Sequence, residues 1–336
     1  MSKVNWGIIG LGNVANTFSN SIKNCKFANL KAVASLDFQK LNNYKKVFNL
    51  NNKYCFNEYR KLLECKEVDI VYIALPNSFH FQWINEALNY NKNILVEKPI
   101  VDNNSNLSEI KKKILSKKIF FMEGFAYRFL PHINFVVNFI KNGNIGNLKS
   151  MRSNFGTKLI KKKFFGLIKK KVDYQSRYFN KKLGGGCILD LGSYPASLSL
   201  LISNIKKNFR KFKLLQKSVE FLPNDVDINA ELTLLFDNNF QSKISASFIK
   251  NLGRQTVING EYGELIIQDS WTSQNSIVKF NDKVIFSEKT SFDAFYYEIN
   301  EISQSILDGK KICNYPAMTF NESMQNMEIL KQWMTR

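Results

Sequence analysis

The sequence predicts an α/β domain built on a doubly wound parallel sheet, followed by an α+β domain with an open, mainly antiparallel sheet. Three observations lead to this prediction. The chain has 336 residues, more than a single hydrophobic core usually serves. Short apolar strands alternate with amphipathic helices up to about residue 123, a pattern typical of parallel sheets. Between residues 219 and 286, short turns separate strands predicted at 228–236, 240–249, 254–260, 264–268 and 276–286, which indicates hairpins. Residues 123–131 are predicted as a linker, and residues 292–307 and 319–334 as helices.

Composition excludes several classes of protein. The net charge is +20, but lysine, asparagine and isoleucine are abundant together and no nucleic-acid-binding motif is present, so we expect no nucleic-acid partner. No apolar run has the length of a membrane span, and the start lacks a basic region followed by an apolar core. The five cysteines are scattered without a C-x-x-C pair, which predicts reduced thiols and no metal site. We therefore expect a cytoplasmic protein.

The first strand, predicted at residues 4–9, runs into a G-x-G-x-x-A motif and then a helix. Gly10 permits a tight turn, Gly12 lets the backbone approach a pyrophosphate without a Cβ in the way, and Ala15 allows close packing of helix on strand. A strand before the motif and a helix after it are the context that a dinucleotide-binding site requires. The predicted cofactor-binding residues here are Gly10, Gly12, Asn13, Val14 and Ala15.

An acid follows the second predicted strand, residues 30–35. Such an acid commonly binds the ribose hydroxyls of NAD, whereas an arginine there accommodates the 2′-phosphate of NADP. The acid is Asp37, and the first basic residue after it is Lys40. This favours NAD. NADP stays open, because Asp37 comes one residue later than expected and a shifted loop could admit the 2′-phosphate.

The α/β alternation continues through four more strands. They are predicted at residues 54–56, 68–74, 94–96 and 119–122, with helices at 38–48, 58–64, up to 90 and 103–116. Because ligands bind at the carboxyl ends of strands in open α/β sheets, the residues directly after two of these strands are candidates for a site. They are Pro76, Asn77 and His80 after one strand, and Glu97 and Lys98 after another. For His80, simple capping of a helix is an open alternative.

A second group of candidates follows three glycines at residues 184–186. Asp190 and Tyr194 stand four residues apart in an apolar helix, so we expect them on one helix face, where an acid and a phenol form a plausible proton relay. The alternative for Tyr194 is packing in the core.

Upstream, residues 158–171 hold seven lysines and no acid. This segment is either a solvated loop or a lid for a phosphorylated or nucleotide-linked sugar, or for anionic lipid head groups.

Taken in order, these motifs resemble the nicotinamide-dependent sugar oxidoreductases typified by glucose–fructose oxidoreductase and inositol dehydrogenase, the Gfo/Idh/MocA family. The resemblance implies that Lys98 contacts the nicotinamide ribose and the reacting hydroxyl. It implies that Asn77 and His80 line the cofactor, and that Asp190 and Tyr194 meet Lys98 at the substrate. Other branches of the family have a histidine where Tyr194 stands.

Tyr127 and Arg128 are similar to residues of the branch that contains dimeric dihydrodiol dehydrogenases and xylose dehydrogenases. The resemblance implies a substrate-binding role beside the nicotinamide, while the alternative for Arg128 is pairing with a surface acid. The implied domains are residues 1–123, which bind NAD or NADP in a Rossmann fold, and 124–336, which bind substrate. The family also implies a homodimer or homotetramer formed through the sheet of the second domain.

The predicted reaction is hydride transfer between nicotinamide and a secondary hydroxyl or keto group of a sugar or sugar derivative. Such a reaction needs a hydride acceptor and a base for the hydroxyl proton. We assign Lys98 as the main acid/base, Tyr194 as a second proton donor, and Asp190 to the orientation of Lys98 or a sugar hydroxyl. Two alternatives remain: an NAD-dependent glycoside hydrolase on the same scaffold, and a non-catalytic dinucleotide-binding protein.

Overall fold

The structure, a computed structural model, describes residues 2–100, 107–160, 172–205, 211–272 and 274–335. It divides into two compact units. The first comprises Met1–Phe129 and Phe292–Ser323, and the second comprises Leu130–Ser291 and Met324–Arg336.

The first unit contains a parallel sheet of six strands. They are β1 (Val4–Ile9), β2 (Ala28–Ala34), β3 (Cys55–Phe56), β4 (Ile70–Ile73), β5 (Asn93–Glu97) and β6 (Phe121–Gly124). Their order is β3-β2-β1-β4-β5-β6, so the direction of winding reverses between β1 and β4. This confirms the predicted doubly wound sheet. A reversal of this kind opens a crevice at the carboxyl ends of the strands, where ligands bind.

Helices of the first unit cover this sheet. They are α1 (Asn13–Ile22), α2 (Phe38–Val47), α3 (Tyr59–Glu64), α4 (His80–Asn89), α5 (Leu107–Lys117) and, far along the chain, α8 (Ala294–Leu307). The predicted helix at 103–116 begins outside the described residues. In α1, the residues Ala15, Phe18 and Ile22 are buried at spacings of three and four, as in a helix that packs by one face.

Helix α8 was predicted as a helix, but its place in the first unit was not. Its Ile299 and Ile302 join the same core cluster as Tyr72 of β4 and Leu95 of β5. The compact units therefore differ from the contiguous division into 1–123 and 124–336, because the segment 292–323 packs with the first unit.

The second unit contains a sheet of eight strands. They are β7 (Leu148–Gly156), β8 (Phe212–Phe221), β9 (Asp227–Phe236), β10 (Gln241–Ser247), β11 (Thr256–Gly260), β12 (Glu264–Ile267), β13 (Asn275–Phe280) and β14 (Lys283–Lys289). The order is β14-β13-β12-β11-β7-β10-β9-β8, with β7 and β10 parallel and the other pairs antiparallel. The predicted, mainly antiparallel sheet is thus confirmed.

Helices α6 (Pro131–Lys141), α7 (Ser193–Asn204) and most of α9 (Phe320–Met334) complete the second unit. Along β9, alternate residues from Ile228 to Phe236 are buried, so one face of the sheet carries the core. Trp333 of α9 is also buried, and its indole N–H donates to the carbonyl oxygen of Glu231 at 3.1 Å.

Two predicted elements differ from the structure. The single strand expected at 276–286 is the hairpin β13–β14, because Asn281 and Asp282 adopt positive φ angles of 46° and 64° and form a tight turn. The linker expected from residue 123 begins later, since Glu123 and Gly124 still pair with Val96 and Glu97 of β5.

One apolar helical stretch of the second unit resembles a membrane span by length and composition. Within the described residues it is Lys181–Asn204, and 78% of its most apolar window is buried inside the protein, as in a core helix. The same described residues contain no cluster of metal-binding side chains.

Candidate functional site

The turn between β1 and α1 has the geometry of a phosphate-binding site. Gly10 has a φ of +89°, and a Cβ there would come within 2.7 Å of the Ala74 carbonyl oxygen. A Cβ on Gly12 would meet no atom within 4 Å, so space is open beside it. Gly12 begins α1 without a side-chain cap, and the first turn has no acid. The first N–H groups of the helix are thus available to an anion, and the residues fit a pyrophosphate.

The other residues of the motif divide between surface and core. Asn13 and Val14 are exposed in the first turn of α1, whereas Ala15 is completely buried. The burial of Ala15 agrees with close packing of the helix on the sheet, and the cofactor-binding roles of Asn13 and Val14 stay predictions.

Asp37 acts as the N-cap of α2. Its Oδ1 accepts a hydrogen bond from the backbone N–H of Lys40 at 3.0 Å, and this bond holds the pKa of the carboxyl below its ordinary value. The Lys40 ammonium lies 3.5 Å from Oδ2, and both side chains are exposed. A ribose hydroxyl would therefore share this carboxylate with the helix cap. An acid just before a helix is a common N-cap, so the sequence carries a signal for this second role of Asp37.

The segment after β4 is tied to the segment after β5 by one histidine. Pro76 precedes a 3₁₀ turn at Asn77–Phe79, and α4 begins at His80. The His80 ring is completely buried, with Nδ1 2.9 Å from the carbonyl oxygen of Pro99 and Nε2 2.8 Å from that of Leu75. The ring thus bridges two carbonyl groups from separate segments, so His80 does more than cap α4.

Glu97 and Lys98 lie half-buried at the carboxyl end of β5. The hydroxyl of Tyr72, on the neighbouring strand β4, donates a short hydrogen bond to Oε1 of Glu97. The peptide bond between Lys98 and Pro99 is cis. Since Ile9, Ile73 and Val96 are aligned by strand register, the chain ends after β1, β4 and β5 share one edge of the sheet. The structure therefore places the predicted residues that follow these three strands at one edge of the first unit's sheet.

Two buried acids close to this edge were missed by the sequence analysis. Glu123 of β6 accepts the backbone N–H of Ile100 at 2.8 Å, and burial raises the pKa of its carboxyl to about 7. Glu298 of α8 is completely buried, and burial followed by the negative charge of Glu97 raises the pKa of its carboxyl well above the ordinary value. Its Oε1 lies near Gly124, at 3.8 Å from the position of a Cβ there.

Tyr127 and Arg128 are buried within the first unit, at 1% and 0% exposure. The guanidinium of Arg128 donates to Glu322 Oε1 at 3.0 Å and to the Pro316 carbonyl oxygen at 3.2 Å. These contacts favour the alternative stated for Arg128, pairing with an acid. The acid is Glu322, which is buried and not on the surface as expected. The substrate-binding role of both residues remains a prediction without support from their burial.

Asp190 and Tyr194 lie in the second unit, in a helix that does not start as expected. Residues Ile188–Gly192 form a π-helical turn, and α7 follows from Ser193. A π turn widens the helix, so the four-residue spacing differs from that of an α-helical face, and such turns occur frequently at functional sites. A buried acid, Asp227, anchors this turn by accepting the backbone N–H of Ile188 at 2.7 Å.

Each of these two side chains has neighbours that the sequence analysis missed. The Arg177 guanidinium lies 3.2 Å from Oδ1 of Asp190 and stacks 4.2 Å above the ring of Tyr178. The ring of Tyr194 packs edge-on against Phe155 and Trp271, at centroid distances of 5.3 Å and 5.5 Å, and those two rings stack on each other at 5.8 Å. The ring packing of Tyr194 favours the alternative left open for it, packing in the core, and its role as a proton donor stays a prediction. Of the lysine-rich segment 158–171, residues 161–171 lie outside the described residues.

Comparison with known proteins identifies related chains. Residues 4–125 match the family model of the GFO/IDH/MocA oxidoreductases with an NAD-binding Rossmann fold, and residues 134–266 match the C-terminal domain of the same family. The trans-1,2-dihydrobenzene-1,2-diol dehydrogenase of Xenopus laevis is 26% identical over 335 residues, covering 95% of this chain and 93% of that protein.

Two solved structures share the fold. The aldose-aldose oxidoreductase of Caulobacter crescentus, complexed with glycerol, superposes with a TM-score of 0.84 at 18% identity. The 3-ketoreductase KijD10 of Actinomadura kijaniata, complexed with NADP and TDP-benzene, superposes with a TM-score of 0.80 at 19% identity. Both matches cover 98% of this chain and 96% of the other.

Proposed function

We propose that this chain, which belongs to the GFO/IDH/MocA oxidoreductase family, transfers a hydride between a nicotinamide dinucleotide and a secondary hydroxyl or keto group of a sugar or sugar derivative. The observation that carries the proposal is the edge of the first unit's sheet. There the open N-terminus of α1 at Gly12 follows β1, and Lys98 follows β5, so the two lie on opposite sides of the winding reversal between β1 and β4. The similar dihydrodiol dehydrogenase and 3-ketoreductase act on related CH–OH and keto groups by their names, which agrees with this class of substrate.

In this proposal Lys98 holds or releases the proton of the reacting oxygen. The dinucleotide, when bound, supplies or accepts the hydride. The short Tyr72–Glu97 hydrogen bond fixes the residue before Lys98. Tyr194 is a second proton donor and Asp190 an orienting carboxylate, with Arg177 holding Asp190 in place at 3.2 Å.

For the cofactor, we propose that Gly10 and Gly12 admit the pyrophosphate and that Asp37 favours NAD over NADP. The argument for NAD is electrostatic, since a 2′-phosphate would lie against a carboxylate.

We further propose a cytoplasmic homodimer or homotetramer formed through the sheet of the second unit. Light scattering on the purified protein measures the assembly.

The test of function is a screen of sugars, phosphosugars and nucleotide sugars with NAD and NADP, in which the absorbance of the reduced dinucleotide is followed. The proposal predicts stoichiometric change in the reduced dinucleotide with at least one sugar class. Release of a reducing sugar without accumulation of reduced dinucleotide would instead indicate the glycoside hydrolase. Dinucleotide binding without turnover of any substrate would indicate a binding protein.

A matched pair of glycine variants tests the dinucleotide site. Gly12→Val places a side chain into open space, so we expect dinucleotide affinity to fall by about 10-fold or more with little change in melting temperature. Gly10→Val should instead destabilise the protein, because φ is positive and the new Cβ meets the Ala74 backbone. Unchanged affinity in Gly12→Val, measured by fluorescence titration, would place the pyrophosphate elsewhere.

A further inference from the structure

The peptide group between Pro99 and Ile100, directly after Lys98, is held at both ends by buried side chains. Its carbonyl oxygen lies 2.9 Å from Nδ1 of His80, and its N–H donates to Oε1 of Glu123 at 2.8 Å. His80 is 0% exposed, and Glu123 is 1% exposed. His80 comes from the start of α4 and Glu123 from β6, so two different elements hold the same peptide.

Holding this peptide restricts the backbone at Lys98. A peptide group is planar, and the ring of a proline fixes its φ angle. Once the Pro99–Ile100 plane is fixed, rotation about the ψ angle of Pro99 is the one soft torsion left between this plane and the Lys98–Pro99 peptide. The backbone of Lys98 is therefore set on one side by strand β5 and on the other by the held peptide.

The two side chains match the polarity of the peptide. A carboxylate can only accept, and it faces the N–H group, while an imidazole nitrogen that carries a proton donates to the carbonyl oxygen. The second ring nitrogen of His80 lies 2.8 Å from the Leu75 carbonyl oxygen, so the same ring also holds the segment before α4. Hydrogen bonds to charged groups are shorter and stronger than neutral ones.

We infer that Glu123 and His80 form a clamp on the Pro99–Ile100 peptide and that Glu123 is thereby a positioning residue for Lys98. The inference rests on the proposed role of Lys98 in the reaction. Glu123 itself touches neither Lys98 nor a reacting group in this account, and it acts only through the peptide that it holds.

The charges around Glu123 make the clamp sensitive to pH. Glu97 on β5 faces it with like charge, Arg128 faces it with opposite charge, and Arg128 is itself paired with Glu322 of α9. Burial, which is the largest influence, raises the pKa of Glu123 to about 7. Protonation near neutral pH removes the charge that strengthens the bond to Ile100, so the environment of the Ile100 N–H should change in this range.

The kinetic test compares Glu123→Gln with Glu123→Leu. Glutamine keeps a carbonyl oxygen that can accept the Ile100 N–H, whereas leucine keeps similar volume without an acceptor. For Glu123→Leu we expect kcat to fall by about 10- to 100-fold with dinucleotide affinity near that of the wild type, since small misplacements of a catalytic group have effects of this size. Glu123→Gln should restore kcat to within about 3-fold, because it restores the acceptor.

Glu298→Leu is the matched control, since it removes an equally buried acid that has no hydrogen bond to this peptide within the described residues. We expect its kcat to stay near that of the wild type. Wild-type kcat in a folded Glu123→Leu protein, or an equal loss in Glu123→Gln and Glu123→Leu, would overturn the inference.

A spectroscopic test decides the case if Glu123→Leu does not fold. In the wild type labelled with ¹⁵N-isoleucine, the Ile100 amide resonance should move with pH with a midpoint near 7, and this titration should be absent from Glu123→Gln. A resonance that does not titrate, or that titrates equally in both proteins, would overturn the clamp. This measurement needs no turnover, so a wild type that is inactive in the substrate screen would refute the proposed function without deciding the clamp.

Discussion

Each unit of this protein contains a buried polar cluster, and the two clusters differ in charge. In the first unit, charged side chains are buried near the end of β6: Arg128 pairs with Glu322, while the carboxyls of Glu123 and Glu298 have raised pKa values. In the second unit, a chain of hydroxyls crosses the sheet, with Thr256 bonded to both Ser153 and Ser270 at 2.7 Å. Buried charge makes stability depend on pH and on intact partners, whereas buried hydroxyls carry no charge to be lost.

The largest effect should come from breaking the buried ion pair of the first unit. Arg128→Met leaves Glu322 buried without its cation, and we expect the free energy of unfolding in urea to fall by about 3–5 kcal/mol. The double variant Arg128→Met/Glu322→Leu should recover most of this loss, because no unpaired charge remains. A loss below about 1 kcal/mol in the single variant would show that the pair is solvated and that the contrast between the units is wrong.

Opposite pH dependence is expected from the two units. Burial lowers the pKa of His132, in the second unit, from 6.5 to about 4. The unfolded state then binds the proton more tightly, so stability falls by about 3 kcal/mol as pH decreases from 6.5 to 4. For Glu123, whose pKa rises from 4.5 to about 7, stability falls by a similar amount as pH increases through that range.

Urea unfolding at a series of pH values separates these contributions. The free energy of unfolding of the wild type minus that of His132→Leu should increase with pH between 4 and 6.5. The free energy of unfolding of the wild type minus that of Glu123→Gln should decrease with pH between 4.5 and 7. If the free energy of unfolding of a variant changes with pH in the same way as that of the wild type, the residue replaced in that variant is not held neutral by burial.

The smallest effect should come from the hydroxyl chain. Thr256→Val removes the shared partner of Ser153 and Ser270 without changing the shape of the side chain, and we expect a loss of about 1–2 kcal/mol that does not depend on pH between 5 and 8. The triple variant Ser153→Ala/Thr256→Val/Ser270→Ala should regain part of it, since no hydroxyl is then left unpaired. A pH-dependent loss would mean that a titrating group takes part in the chain.

Most of the fold was predictable because its signals are local. The G-x-G-x-x-A turn and the alternation of strands and helices identify the parallel sheet, and the register of parallel strands then places Gly10, Asn77 and Lys98 on one edge. The place of α8 was not predictable in this way. Its periodicity marks a buried face but does not say which sheet, almost 200 residues earlier, that face covers.

The residues of the site were predictable only where they come directly after a strand of the parallel sheet. Glu298, a buried acid near the site that has no catalytic or binding role in it, has a weak signal, since it falls on the same face as Ile302, but an acid at such a position could equally lie at the edge of the core. Trp271 and Arg177 have none, because their contacts with Tyr194 and Asp190 join loops to a helix across the second unit. The hairpin turn at Asn281 and Asp282 did have a signal, and the sequence analysis missed it.

The account depends most on the chemistry of Lys98. In a substrate-loaded assay with the preferred dinucleotide, Lys98→Ala should lower kcat by about 100-fold or more, as expected for loss of a general acid/base, while dinucleotide affinity stays near that of the wild type. Turnover in Lys98→Ala equal to that of the wild type would contradict the central claim and remove Lys98 from the mechanism.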